Sequence, residues 1–116
     1  MKVLFFQQNG KSPPQKFLKT LNPKIRARFY RYLEHLSQSG GTIEGIAFKK
    51  LHSYPMEEIR IKSSNYLHRL ILHIRKGEAI LVLHGFTKKE GHKTRLKELE
   101  FAYKNFKIFL SHEKHK

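Results

Sequence analysis

Three residue types are missing from this sequence of 116 residues, which contains no cysteine, no tryptophan and no aspartate. Without cysteine, the chain forms no disulfide and has no thiolate to bind zinc, which is typical of proteins in reducing compartments. Without aspartate, the usual Ser-His-Asp catalytic triad is excluded, and the nine acidic residues are all glutamates. Several common kinds of catalytic site are therefore excluded before any motif is considered.

Candidate ligands for metal ions and cofactors are also scarce. The glutamates are too scattered for a two-metal phosphodiesterase site, in which several carboxylates converge on the ions. His112 and His115 have the spacing of a metal-binding pair, but no third ligand is near them, so a solvated tail is the favoured interpretation. The glycines match neither a P-loop nor a dinucleotide-binding motif. The sequence predicts a protein without a metal ion or another cofactor.

Long apolar segments are missing as well. Near the start of the chain, the run Val3–Phe6 is too short for a signal peptide or a membrane-spanning helix. We therefore expect a cytoplasmic protein without a membrane partner. The length suits one domain, residues 1–116, with a basic tail over residues 111–116.

Positive charge is what the sequence has in excess. The 24 lysines and arginines outnumber the nine acidic residues and give a formal net charge of +15. Such a domain is attracted to polyanions, which are nucleic acid, an acidic membrane surface or an acidic protein. The basic residues do not follow one side of a long amphipathic helix, so the membrane surface is disfavoured.

Hydrophobic spacing, caps and turns predict seven elements in the order β-α-α-β-β-β-α. The first two helices are expected to form an antiparallel hairpin, and the last three strands to pair as a meander. Residues 41–57 are interpreted as a long connection. The predicted strands cover residues 2–7, 58–62, 67–75 and 79–86, and the helices begin at caps formed by Ser12, Asn22 and Thr94.

Chemistry on RNA suits a basic protein without a metal site. RNA carries its own nucleophile, the 2′-hydroxyl group, so an enzyme needs only to align it, move protons and stabilise charge on the phosphoryl oxygens. Arg60 and Lys62 on one strand, Arg69 on the next, and Lys88 and Lys89 after the last are placed to converge. The alternative for each is a solvated charge at the sheet margin. This alternative is weakest for Arg69, because apolar residues flank it.

Two segments carry a resemblance to a known family: EIRIKSSNYLHRLILHI, residues 58–74, and ILVLHGFTKKEGHKTRLKELEFAYK, residues 80–104. With the order of the elements, they resemble the RelE/ParE superfamily of bacterial toxins, and within it the HigB-like and phage-derived toxins of type II toxin-antitoxin systems. The most specific part is an L-H-G-F strand end, followed by a lysine pair and a helix with Glu98 and Glu100 before Ala102.

The resemblance implies an α+β fold, in which a small twisted antiparallel sheet carries an N-terminal helical hairpin on one face and a C-terminal helix. It also implies an endoribonuclease, an mRNA interferase that cuts mRNA in the ribosomal A site and inhibits translation. We therefore predict a metal-independent, ribosome-dependent reaction through 2′-OH attack. The predicted partners are mRNA, the ribosome and a cognate antitoxin, and the toxin itself is expected to be a monomer.

The resemblance also implies roles for individual residues. Arg60 and Lys62 match the basic residues of the family's second strand, and Arg69 matches the arginine that contacts the scissile phosphate. Lys88 and Lys89 match the basic pair that follows the last strand. Arg69 and Lys89 are therefore expected to stabilise the phosphoryl charge.

The group that transfers the proton is left open between two residues. Some relatives place a Tyr or His near the start of the last helix, where this chain has His92, and histidine titrates near neutrality. Glu58 shares a strand face with Arg60 and is the second candidate, with a salt-bridge role as its alternative. RNA or ribosome binding is predicted for Lys49, Lys50, Lys62, Lys93 and Arg95.

Two other functions stay open at this point. A ParE-like toxin binds and poisons DNA gyrase without catalysis, although such relatives usually lack the basic residues at the positions of Arg69, Lys88 and Lys89. A plain nucleic-acid-binding module is compatible with the charge alone.

Overall fold

The structure is a computed structural model that describes residues 1–41, 48–51, 53–89, 91 and 96–114. It confirms the α+β class and the predicted order of the elements, with one added strand. The strands are β1 Lys2–Phe5, β2 Phe48–Leu51, β3 Met56–Ser63, β4 Tyr66–Arg75 and β5 Ala79–Lys89, and the helices are α1 Pro13–Thr20, α2 Pro23–Gln38 and α3 Leu96–Lys114.

The five strands form one sheet in the order β1-β5-β4-β3-β2. β1 runs parallel to β5 and the other neighbours are antiparallel, so the sheet is mixed and not wholly antiparallel as the resemblance implied. After β1, the chain passes through both helices to the far edge of the sheet, and three reversals then bring it back beside β1. The parallel direction of β1 and β5 depends on the path of the chain between them, and not on the sequence of either strand.

Local signals place the two N-terminal helices as predicted. The side chain of Ser12 accepts a hydrogen bond from the backbone N–H of Gln15, and that of Asn22 accepts one from Lys24. The apolar stripe of α2 is buried against one face of the sheet, together with part of α1. This first core contains Leu18, Ile25, Phe29, Leu33, Leu36, Ile59, Ile61, Leu70, Leu72, Ile80 and Val82.

The close approach between α1 and β5 depends on Gly85. A Cβ atom at this position would lie 2.1 Å from Cδ2 of Phe17, far inside van der Waals contact. The glycine of the L-H-G-F segment is therefore needed for α1 to pack on the sheet.

α3 covers the opposite face of the sheet. A second core forms there from Phe6, Met56, Ile71, Leu81, Leu83, Phe86, Ala102 and Phe106. Leu99, Tyr103 and Leu110 recur along one side of α3 and pack against this core, but Leu96 is 61% exposed in the first turn of the helix. The N-terminal turn of α3 therefore contributes little to this core.

Several strand boundaries differ from the sequence prediction, most of all around β2 and at the end of β5. Part of the expected connection over residues 41–57 is the edge strand β2, whose Lys49 and Lys50 pair with Glu58 and Glu57. Polar residues at both of its central positions hide the alternation that marks a strand. The last strand also continues past Phe86 to Lys89, because the start of β4 supplies pairing partners for it. The lysine pair therefore lies within β5 and not after it.

Candidate functional site

Three cross-strand rows on the α3 face of the sheet define the candidate site. Directly paired residues lie on the same face of a sheet, and alternate residues of a strand share that face. The central row joins Arg60, Arg69 and Phe86, and the rows beside it are Glu58–Ile71–His84 and Lys62–Leu67–Lys88. We call Arg60, Lys62, Arg69 and Lys88 the cationic cluster.

A buried carboxylate lies beneath the cationic cluster. Glu58 is 1% exposed, its Oε2 lies 3.8 Å from Nη1 of Arg69, and its Oε1 lies 3.7 Å from Nε of Arg60. A charge at this depth is costly unless opposite charges face it, and here two guanidinium groups do. Glu58 therefore holds both arginines near one point of the sheet.

Apolar contacts fix the position of Arg69 further. Its side chain is only 9% exposed, and its Cζ lies 6.0 Å from the centre of the Phe86 ring, within the range of a cation–π contact. The burial expected for this arginine is therefore present, and Glu58 together with Phe86 is its physical reason. Arg60 retains 32% of its side-chain exposure and faces solvent more openly.

Two lysines flank Leu67, one row away from the arginines. Lys62 is exposed and Lys88 is half-buried. Their backbones are separated by two strand spacings, about 10 Å in all. An extended polyanion that crosses the central row can therefore contact both ammonium groups.

Lys89 does not belong to this group. It pairs with Tyr66 and lies one residue beyond Lys88 on the same strand, so its side chain projects from the opposite face. The expected convergence of Arg60, Arg69 and Lys89 on one phosphate is therefore wrong, because an extra residue in β5, Leu83, shifts the alternation so that Lys88 and not Lys89 shares the face of Arg69. Lys88 takes the position that was expected for Lys89.

The remaining predicted residues divide into three groups. Lys49 pairs with Glu58 at the margin of the α3 face, whereas Lys50 pairs with Glu57 on the other face. His92, Lys93 and Arg95 lie outside the described residues, as does the expected cap Thr94.

In the part of the chain that is described, no group of three or more histidines and glutamates is arranged to hold a metal ion.

One histidine and one glutamate join the candidate site without having been predicted. Nε2 of His84 lies 2.8 Å from Oε2 of Glu98 on α3, and their side chains are 19% and 16% exposed. The His84 ring also stacks on Phe86, with ring centres 5.7 Å apart and planes inclined by 26°. The signal in the sequence was a histidine at the end of an apolar strand, which is equally typical of a core position.

Basic residues also cover the helical side of the molecule. Residues 13–38 contain one acidic residue, Glu34, against Lys16, Lys19, Lys24, Arg26, Arg28 and Arg31. Lys24, Arg28 and Arg31 are exposed on the outer side of α2, away from its buried stripe. Arg60 and Arg69 therefore differ from these exposed basic residues by their pairing with the buried Glu58, and not by charge alone.

Comparison with models of known protein families gives a match. The family model for phage-derived Gp49-like proteins (DUF891) matches residues 16–107, which include the whole cationic cluster, His84 and Glu98. Curated proteins gave no significant match. Among the helices that the structure describes, none is long and apolar enough to cross a membrane.

Proposed function

Because the chain belongs to the phage-derived Gp49-like family, which is a RelE-like toxin family, we propose that it is an endoribonuclease that cuts mRNA on the ribosome. The family implies an antitoxin partner for the toxin. The RNA substrate, the ribosome and a metal-independent reaction in the cytoplasm are parts of the proposal.

The observation that carries the proposal is the pair of arginines held by the buried Glu58. In RNA cleavage by the 2′-oxygen, negative charge grows on the non-bridging phosphoryl oxygens as the new bond forms. Donors that are already fixed at this position stabilise the charge without having to reorganise. Arg60 and Arg69, with Glu58 within 3.8 Å of each, meet this requirement.

The members of the cationic cluster have different proposed roles. Arg69, the more buried arginine, binds the scissile phosphate, and Arg60 donates to the same group from the more exposed side. Lys62 and Lys88 neutralise the neighbouring phosphates and fix the path of the RNA backbone. Specificity then comes mainly from the ribosome, since a basic face binds RNA without strong sequence preference.

A cleavage assay on programmed ribosomes tests the proposal. Purified toxin is pretreated with a chelator, separated from it, and added to ribosomes that hold a defined mRNA. We expect cleavage that leaves 2′,3′-cyclic phosphate and 5′-hydroxyl ends. An mRNA with a single 2′-deoxynucleotide at the cleavage position should remain intact. Cleavage of the deoxy substrate, or no cleavage of the normal one, contradicts the proposed reaction.

Induced expression in bacteria separates the other two functions. Growth arrest with cut mRNA supports the endoribonuclease. Arrest with DNA damage and intact mRNA indicates a gyrase poison. Unhindered growth in the absence of the antitoxin indicates a nucleic-acid-binding module.

A further inference from the structure

The pairing of His84 with Glu98 leads to a further inference, which rests on the proposed function. We propose that His84 is the general base that accepts the proton of the 2′-hydroxyl group, and that Glu98 is a positioning residue that orients its ring. Neither residue is a member of the cationic cluster. His84 lies on the α3 face of the sheet, and Glu98 lies on the helix that covers this face.

Cross-strand register places His84 beside the proposed phosphate position. Arg69 pairs directly with Phe86, and His84 precedes Phe86 by two residues on the same face. Such diagonal neighbours have Cα atoms roughly 7–8 Å apart. Phe86 contacts both Arg69 and His84, so the imidazole and the guanidinium pack against the same aromatic ring. This separation is suited to two groups that act on one nucleotide, one on the phosphate and one on the adjacent ribose.

The hydrogen bond with Glu98 defines the tautomer of His84. A carboxylate oxygen accepts, so Nε2 carries the hydrogen and donates it to Glu98 at 2.8 Å. The other nitrogen, Nδ1, then carries the lone pair of the neutral ring, and it has no hydrogen-bond partner among the described residues. A carboxylate behind the ring also stabilises the imidazolium that forms when Nδ1 takes up a proton.

The proposed step needs no reactant other than the RNA and water. Nδ1 of His84 takes the 2′-hydroxyl proton as the 2′-oxygen bonds to phosphorus and the bond from phosphorus to the 5′-oxygen breaks. The 5′-oxygen leaves as a hydroxyl group after taking a proton from water. The imidazolium returns its proton to solvent, and the products are a 2′,3′-cyclic phosphate and a 5′-hydroxyl end.

A purely structural role for the pair is the competing explanation, because the same hydrogen bond also connects β5 to α3. His84→Gln separates the two explanations, since the amide keeps a donor to Glu98 but has no group that titrates near neutrality. His84→Ala with added imidazole provides a second test, because free imidazole restores a missing base but not a missing connection. His35→Gln, at an exposed histidine of α2, is the matched control.

The experiment measures the single-turnover cleavage rate on ribosomes as a function of pH. Among the described residues, the charged groups that share the surroundings of His84 are Glu98 on α3, Glu58 on β3, Arg69 on β4 and Lys88 on β5. We expect the wild-type rate to rise with pH through an inflection, because a general base acts in its neutral form. His84→Gln should lower the rate by about 10²–10⁴-fold and remove this inflection.

The outcomes distinguish this inference from the proposed function. Restoration of cleavage in His84→Ala by imidazole supports the assignment, as does unchanged thermal unfolding of His84→Gln with loss of rate. If wild-type toxin cuts while His84→Gln retains both rate and inflection, only the role of His84 is overturned. A lost rate with the inflection retained, and no response to imidazole, also overturns it and indicates a structural role. If wild-type toxin does not cut at all, the proposed function fails first.

Discussion

Removing Arg69 alone should destabilise the fold, and removing Glu58 with it should restore most of the lost stability. Opposite unit charges 3.8 Å apart, the distance between Glu58 and Arg69, attract by about 4 kcal/mol at an effective dielectric constant of 20. Arg69→Met abolishes this attraction and leaves behind a carboxylate that is 1% exposed. Breaking a buried pair in this way costs about 3–5 kcal/mol. Arg60 remains 3.7 Å from Glu58, so we expect a loss of about 2–4 kcal/mol.

Urea denaturation of purified variants measures these free energies of unfolding. The variants are Arg69→Met, Glu58→Leu with Arg69→Met, and Arg28→Met as the control at an exposed arginine of α2. The double variant should be more stable than Arg69→Met, because no buried charge is left without its partner. Both variants that lack Arg69 should also lose cleavage. The reasoning is refuted if Arg69→Met is as stable as the control, or if the second substitution restores nothing.

Three further predictions follow from the same structure. Lys88→Ala should reduce the rate of single-turnover cleavage by about 10-fold or more. Lys89→Ala, on the opposite face, should stay within about twofold of the wild-type rate. Equal losses would contradict the register between β4 and β5. Gly85→Ala should lower the free energy of unfolding by about 1–3 kcal/mol, and Phe17→Leu in the same chain should recover part of it if the clash is the cause. Burial raises the pKa of Glu57, so the folded state binds the carboxyl proton of Glu57 more tightly than the unfolded chain does. The free energy of unfolding should therefore fall as pH rises from the usual glutamate pKa through the raised pKa of Glu57. Glu57→Gln should flatten this part of the stability profile, and an unchanged slope would exclude Glu57 as its source.

Much of the fold could be predicted because its signals are local. The Ser12 and Asn22 caps, the buried stripe of α2 and the alternation of β3 each depend on residues a few positions apart. The edge strand β2 was missed because its short sequence is polar at the centre and becomes a strand only through pairing with β3. The parallel direction of β1 was missed because it depends on where the whole chain returns.

The candidate site shows the same division. The residue types were predicted from sequence and family resemblance, and the structure brings Glu58, Arg60, Lys62 and Arg69 onto one face. Lys88, and not Lys89, joins them, and His84 is added by its contact with Glu98. No spacing in the sequence links His84 to Glu98, since they belong to a strand and a helix that meet only after folding.

What the sequence alone determined is every element except β2, the faces of β3 and β4, and the excess of positive charge, because these depend on neighbouring residues and on composition. What only the tertiary structure decided is which end-of-strand residues share the face of Arg69. A register shift between Ile71 and Leu72 leaves Leu83 as an extra residue of β5, with Val82 and His84 as the paired residues on either side. Strict alternation from Leu81 would have put Lys89 on the α3 face, but the extra residue reverses the alternation and puts His84, Phe86 and Lys88 there. The physical reason is that a bulge depends on pairing and packing between strands, so the residues next to it in the sequence do not predict it.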